Sequence, residues 1–435
     1  MEHCQMVTHD APLAAAIDDL RRDRVGIDEH LDTVESRVEA VEPEIESLVP
    51  EEDRWVRLRA AAADLEARFP DPARRPPLYG VPIGVKDIFH VDGLPTRAGS
   101  DVPPEVLAGE ESTAVRTLRE AGALVLGKTV TAEFAYFAPG PTRNPHDPAH
   151  TPGGSSSGSA AAVAAGLCPF ALGTQTIGSV TRPAAFCGIV GVKPSFGRIS
   201  TDGVIPCTPS VDHVGFFTQD TAGASIAAAL LCDEWQPLPA PRDRPTLGVP
   251  EGPYLQQASD IGLDAFEEHV SRLERAGYDV ERIDAFEHID EINSRHERLV
   301  AAEFALTHEE WYEAHSDGYA DASVELLREG REVSTGDVAA ARSGRDQLRS
   351  ALHDLMRDSG VDLLISPSAP GPAPEGIDTT GDPVMNLPWT HAGLPTVSLP
   401  AGTTEHGLPL GLQCAAPFGD DESLLAWAHD IADSL

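Results

Sequence analysis

The stretch GTQTIGSVTRPA, residues 173–184, sets Ser179 among small residues and follows it with Arg182. A serine becomes a nucleophile for acyl transfer only when a neighbouring base takes its proton. No histidine lies in or beside this stretch, so the base must come from elsewhere in the chain. Lysine is the informative residue type. The chain has three, Lys86, Lys128 and Lys193, against 29 arginines. Arginine serves at any exposed cationic position, but a guanidinium does not give up its proton. Lysines kept in such a chain are therefore either core residues packing their stems or groups that must become neutral, and burial favours the neutral amine. A neutral lysine acting through a serine hydroxyl, with backbone N–H groups at a Gly-rich turn or helix start facing an oxyanion, gives acyl transfer without histidine.

Other motifs carry less. Gly154-Ser155-Ser156-Ser157-Gly158 has the G-x-S-x-G spacing of a nucleophile elbow, which needs a strand directly before it. The preceding HDPAHTPG is too rich in breakers to be a central strand. The histidines form no HExxH motif and no tight cluster, so no metal and no cofactor are expected. His288, His296 and His308 fall in acidic helical sequence and are read as solvated surface. The six cysteines, Cys4, Cys168, Cys187, Cys207, Cys232 and Cys414, are scattered without a CxxC pair, so neither a zinc site nor disulfides are expected.

The formal charge is −38, from 70 acidic and 32 basic residues spread along the chain. That excess repels phosphate backbones and argues against nucleic-acid binding through a basic face. Together with the scarcity of lysine, it is read as a surface kept hydrated at high salt, that of a halophilic protein. The N-terminus lacks the basic start and apolar run of a signal peptide, and the apolar stretch around 160–173 is too short to span a bilayer. A cytoplasmic, non-membrane protein is the expectation, with monomer and homodimer left open.

These residues need a scaffold. Residues 12–69 are charged and helix-periodic and predict two or three covering helices. From Pro76 the texture changes to apolar strands alternating with helices. LYGVPIGVKDIF, ALVLGKT, FALGTQT, IVGVKP, TLGVP, DLLISPSAP, LPTVSLPAG and LPLGLQCAA read as strands. TAVRTLREAGA, SSSGSAAAVAAG, TAGASIAAALLC and the C-terminal DDESLLAWAHDIADSL read as helices, and RPAAFCG as a helical turn. The pattern implies an α/β fold with helices on both sides of one large mixed, mostly parallel sheet. Residues 1–75 form an N-terminal helical segment packing on a main domain over 76–435, and 250–360 is its variable helical region.

The segment 152–200, PGGSSSGSAAAVAAGLCPFALGTQTIGSVTRPAAFCGIVGVKPSFGRIS, resembles the signature of the amidase signature family almost throughout. PPLYGVPIGVKDIFHVDGLPTRAGS is similar to the family's lysine segment, and LPTVSLPAGTTEHGLPLGLQ to its closing strands. The resemblance implies a single α/β/α domain and amide hydrolysis by a serine, a cis-bonded serine and a lysine. Those roles fall on Ser179, Ser155 and Lys86. The oxyanion donors fall on the backbone amides of Thr176, Ile177, Gly178 and Ser179, and Ser156, Thr174 and Gln175 stand directly behind them. The implied substrate is a small-molecule amide.

Three positions depart from the family's commonest form, GTDTGGSIRxPA. Gln175 replaces an aspartate, Ile177 a glycine, and Thr181 an arginine, with Arg182 one place later. The first and third remove two opposite charges together, so neither is left buried alone. GTQTxGSVxRPA resembles the malonamidase-like branch, in which this arginine holds a substrate carboxylate. Arg182 is thus expected either to bind an anionic substrate end or to donate to backbone carbonyls. A β-branched Ile177 is strained if its φ is positive, and otherwise narrows the acyl pocket. The alternative functions are the glutaminase (A) subunit of a tRNA-dependent amidotransferase and a catalytically silent binding protein on the same fold. The departures in GTQTIGSVTR argue against the first, and the three retained residues against the second.

Overall fold

The computed structural model describes residues 7–237 and 244–435. Three helices come first, α1 (Leu13–Arg21), α2 (Ile27–Ile45) and α3 (Arg54–Arg68). Then follow β1 (Pro82–Lys86), α4 (Thr113–Glu120), β2 (Leu124–Thr129), α5 (Ser157–Ala164), β3 (Phe170–Gln175), α6 (Thr181–Cys187) and β4 (Val190–Lys193). Next are β5 (His213–Thr218), α7 (Thr221–Leu231), β6 (Leu247–Glu251), α8 (Asp260–Arg275), β7 (Val280–Asp284), α9 (Ile289–His315), α10 (Asp321–Glu332) and α11 (Thr335–Ser359). The chain closes with β8 (Leu363–Pro367), α12 (Leu387–Ala392), β9 (Thr396–Thr403), β10 (Pro409–Ala415) and α13 (Asp421–Ala432).

All ten strands form one sheet in the order β2-β1-β3-β5-β4-β9-β10-β8-β6-β7. The sheet is mixed, but the expected parallel majority holds only towards its two ends. There β2-β1-β3 and β8-β6-β7 are parallel, and the five pairings between them are antiparallel. Two of the five come from β5, HVGFFT, which the sequence pattern does not mark and which runs antiparallel between β3 and β4; the other three involve β9 and β10. Strand β7 also falls outside the marked elements. Its sequence VERID is charged and lies at the sheet edge, half in solvent, so it resembles the acidic helices around it.

β1, β2 and β3 are buried at every position, which is why they read as unbroken apolar runs instead of alternating ones. The apolar faces of α2 and α3, including Leu31, Ile45 and Leu58, join the same core as the strands. The GSSSG motif runs from the loop before α5 into its first turn, with no strand directly ahead of it. Its last glycine has a packing role: a Cβ on Gly158 would sit 2.2 Å from the Ser47 carbonyl oxygen and 2.4 Å from the Val130 nitrogen.

Helix α9 overturns two expectations. His296 and His308 are fully buried, while His288 is exposed as expected. Positions 296, 300, 304 and 308 recur every four residues and form one inward face on an otherwise charged helix. His308 bonds the Pro206 carbonyl and the Tyr319 hydroxyl and stacks on Phe304. Cys168, Cys187, Cys207, Cys232 and Cys414 are buried free thiols. Cys4 lies outside the described residues.

Candidate active site

Parallel strands β1 and β3 are neighbours, so their carboxyl ends and the loops that follow meet on one side of the sheet. Lys86 is the last residue of β1, and Thr174 and Gln175 end β3. Lys86 Nζ lies 2.8 Å from Ser155 Oγ and 2.8 Å from Thr174 Oγ1. The Gly154–Ser155 peptide bond is cis. Ser156 Oγ donates to the Thr174 carbonyl at 3.2 Å and accepts from its N–H at 3.3 Å, tying the serine loop to β3.

Lys86 is completely buried and forms no ion pair among the described residues. Burial lowers its amine to about 7, against a smaller opposing pull from Cys207 and Asp212. That favours the neutral form by roughly 5 kcal/mol over an exposed lysine. The other two lysines are buried as well. Lys128 pairs with Asp87 at 2.7 Å, and Lys193 donates to the carbonyls of Leu394 and Pro194.

Residues 176–180 leave β3 and lead into α6. The Gln175 side chain organises this turn. Its Oε1 accepts from the amides of Val180 at 2.8 Å and Thr181 at 3.0 Å, and from the Thr181 hydroxyl at 3.2 Å. Its Nε2 donates to Thr390 Oγ1 at 3.0 Å. The exchanges at 175 and 181 are thus in contact: a neutral amide–hydroxyl pair stands here and also caps the start of α6. The amides of Ile177, Gly178 and Ser179 donate to no protein group among the described residues and remain available. Ile177 does not have a positive φ, so its β-branched side chain is unstrained. Gly178 is required for space, since a Cβ there would lie 2.4 Å from Asn386 Oδ1.

Ser179 lines a small cavity with Tyr136, Phe137, Ile177, Arg182 and Pro383. Its hydroxyl makes no hydrogen bond among the described residues. A second cavity, of about 60 Å³, shares Ala135 and Thr176 with the first and reaches Thr174, Cys207 and Asp212. Arg182 is 1% exposed. One of its nitrogens donates to the Gly154 carbonyl at 2.8 Å and to Thr380 Oγ1 at 3.1 Å, while Nε and Nη1 are buried without a partner. Burial lowers its guanidinium to about 10, against the pull of nearby Asp382.

Comparison with known proteins gives this site its family. The Amidase family model matches residues 29–425. The chain belongs to the amidase family. It is therefore a hydrolase acting on amide C–N bonds. This amidase is 33% identical to the A subunit of a glutamyl-tRNA(Gln) amidotransferase from a Synechococcus strain, over 96% of each chain. The protein of the same name from Prochlorococcus marinus is 32% identical, covering 85% of this chain and 87% of its own. Among solved structures, one described as an amidase superposes with a TM-score of 0.89 at 33% identity, covering 98% of this chain and all of the other. The peptide amidase of Stenotrophomonas maltophilia gives 0.82 at 25% identity, over 98% and 96% of the two chains.

The structure joins Lys86, Ser155, Ser156 and Thr174 by hydrogen bonds, while Gln175 bonds Val180, Thr181 and Thr390, with the 176–179 amides, Ser179 and Arg182 alongside. Sequence reasoning misses Asp212, His296, Thr390 and Thr380. Asp212 had a signal: it is the one acidic residue between 203 and 218, in a chain otherwise saturated with acid. It is half-buried, accepts from the Thr176 hydroxyl at 2.6 Å and caps the amides of Cys207 and Thr208. Among the described residues no group of three or more His, Cys, Asp and Glu is placed to hold a metal ion.

Proposed function

We propose that this amidase hydrolyses a small carboxamide with an anionic end, through an acyl-enzyme on Ser179. The observation carrying the mechanism is the buried Lys86 amine, held near neutrality and bonded to the Ser155 hydroxyl. Ser179 adds to the amide carbon as its proton passes to Ser155 and the Ser155 proton passes to Lys86 Nζ. The oxyanion forms in front of the 176–179 amides. The proton returns through Ser155 to the leaving nitrogen, the C–N bond breaks and ammonia departs. Water then attacks the ester, releasing carboxylate and restoring Ser179.

Arg182 supports the anionic end of the substrate. Its Nη2 is committed to the Gly154 carbonyl, so it has the backbone-donor role, but two further nitrogens lack partners in a buried wall of the Ser179 cavity. A carboxylate there would satisfy them and orient the amide. Ile177 and Tyr136 narrow the same cavity and favour a small acyl group. Arg182→Ala should raise KM for acidic amides and spare neutral ones. Equal losses on both classes would refute this specificity.

The names of the sequence relatives support a second reading, a glutaminase subunit delivering ammonia to a partner. An ammonia-release screen over acidic and neutral small amides at high salt separates the two. Turnover of an acidic monoamide by the isolated chain supports the first; glutamine hydrolysis that requires a partner protein supports the second. The acidic composition supports work in a salt-rich cytoplasm, and full folding and activity in dilute buffer would contradict it.

A further inference from the structure

The Thr176–Ser179 segment is held from behind by side chains that approach from distant parts of the chain. His296 of α9 is fully buried, and its Nε2 lies 3.0 Å from the Thr176 carbonyl oxygen. Thr390 of α12 is also fully buried, and its hydroxyl lies 2.6 Å from the Ile177 carbonyl oxygen. A carbonyl and the following N–H belong to one rigid planar unit. The Thr176 carbonyl shares its peptide with the Ile177 amide, and the Ile177 carbonyl with the Gly178 amide. A hydrogen bond at the oxygen end fixes the plane of that unit. It also draws electron density from the nitrogen, which strengthens the N–H as a donor.

We propose that His296 and Thr390 are positioning residues for the reaction, holding and polarising the two peptide units whose Ile177 and Gly178 amides face the oxyanion. This rests on Ser179 being the nucleophile and those amides its oxyanion donors.

The proton positions follow from the partners. A carbonyl only accepts, so His296 carries its hydrogen on Nε2. Its Nδ1 then accepts from His391 Nδ1, 3.2 Å away. Both rings are neutral: burial lowers His296 to about 3 and His391 to about 2, and the Arg345 charge acts in the same direction. The Thr390 hydroxyl has one proton, and Ile177 is its nearest acceptor, while the Asn386 carbonyl stands at 3.2 Å. Its oxygen accepts from Gln175 Nε2. Two chains of hydrogen bonds therefore converge on the segment, His391 to His296 to Thr176, and Gln175 to Thr390 to Ile177. Sub-ångström placement of oxyanion donors matters because they act only where charge develops.

The test is a set of variants assayed for kcat, KM and the affinity of an aldehyde analogue that forms a tetrahedral adduct on Ser179. Removing a whole oxyanion donor costs about 100- to 1000-fold in kcat, so losing the bond behind one should cost about tenfold. Thr390→Val, nearly isosteric, should lower kcat and aldehyde affinity by the same factor and leave KM and product binding unchanged. Thr390→Ser should restore both. Thr396→Val is the control, since Thr396 is equally buried but its hydroxyl has no partner; it should change neither. His296→Phe should act as Thr390→Val does, with His296→Gln recovering part of the loss, and the threonine series stands if the histidine variants do not fold. Unchanged kcat in Thr390→Val, with Ser179→Ala inactive, overturns the positioning role. Equal weakening of product and aldehyde overturns it too. Retained turnover in Ser179→Ala overturns the nucleophile assignment on which it rests.

Discussion

Lys86 and Lys193 each end a strand of the same sheet, each is fully buried, and burial lowers each amine to about 7. Neither forms an ion pair among the described residues. They differ in what faces the nitrogen. Lys193 meets the carbonyls of Leu394 at 2.5 Å and Pro194 at 3.2 Å, which accept hydrogen bonds and have no proton to exchange. Lys86 meets the hydroxyls of Ser155 and Thr174, and a hydroxyl can both give a proton and take one. Desolvation alone does not make a base. A neutral amine can serve as a base where its partner can relay a proton towards a cavity, and of these two lysines Lys86 is the one whose partners are hydroxyls.

The largest expected effect follows from exchanging these roles. Lys86→Ala should lower turnover at least about a thousandfold with the fold intact by circular dichroism. Lys193→Met should keep turnover near the wild-type value and show its effect in the melting temperature. Comparable activity losses in the two variants would erase the distinction.

Next comes pH. The amine must be neutral to accept a proton, so kcat/KM should rise with pH through about 7 and level off above it. A pH profile in Lys193→Met should keep that inflection. A profile falling through 7 would contradict an amine base.

Gln175→Glu should have a smaller effect. The carboxylate still caps α6, but it cannot donate to Thr390, and a charge enters a fully buried site. A loss of about tenfold in kcat is expected, and Gln175→Asn does not reproduce the contact because it is one methylene shorter.

The smallest effect is on stability. Both lysines have folded-state values below the unfolded value of about 10.5, so the unfolded chain binds more protons between about 7 and 10.5. Stability should therefore rise with pH across that window, and either Lys86→Met or Lys193→Met should flatten the rise. Denaturant titrations at pH 7 and 9 measure it.

The sequence makes much of this legible for physical reasons. Strands buried on both faces leave unbroken apolar runs, and a lysine kept in an arginine-rich chain marks a need that arginine cannot meet. Lys86 is legible because the chemistry constrains residue type, and Ser155 and Thr174 because the segment around them resembles the family signature. His296 and Thr390 are not, because they act on the Thr176–Ser179 segment from more than 100 residues away. Their helices look like any charged or Pro-containing surface segment, and one inward face every four residues is hidden by the acid around it. β5 escapes because its six residues lie between a Pro-rich loop and α7 without strong turn signals, yet it supplies two of the sheet's five antiparallel pairings.

The role of Lys86 as the base for Ser179 is tested by the rate at which a fluorophosphonate modifies the serine, followed by mass spectrometry against pH. Modification is expected at Ser179, with a rate that rises through about 7 in the wild type and Lys193→Met. In Lys86→Ala the rate should be at least about a hundredfold lower and without that inflection. Modification of another residue, or an unchanged rate and pH profile in Lys86→Ala, would contradict it.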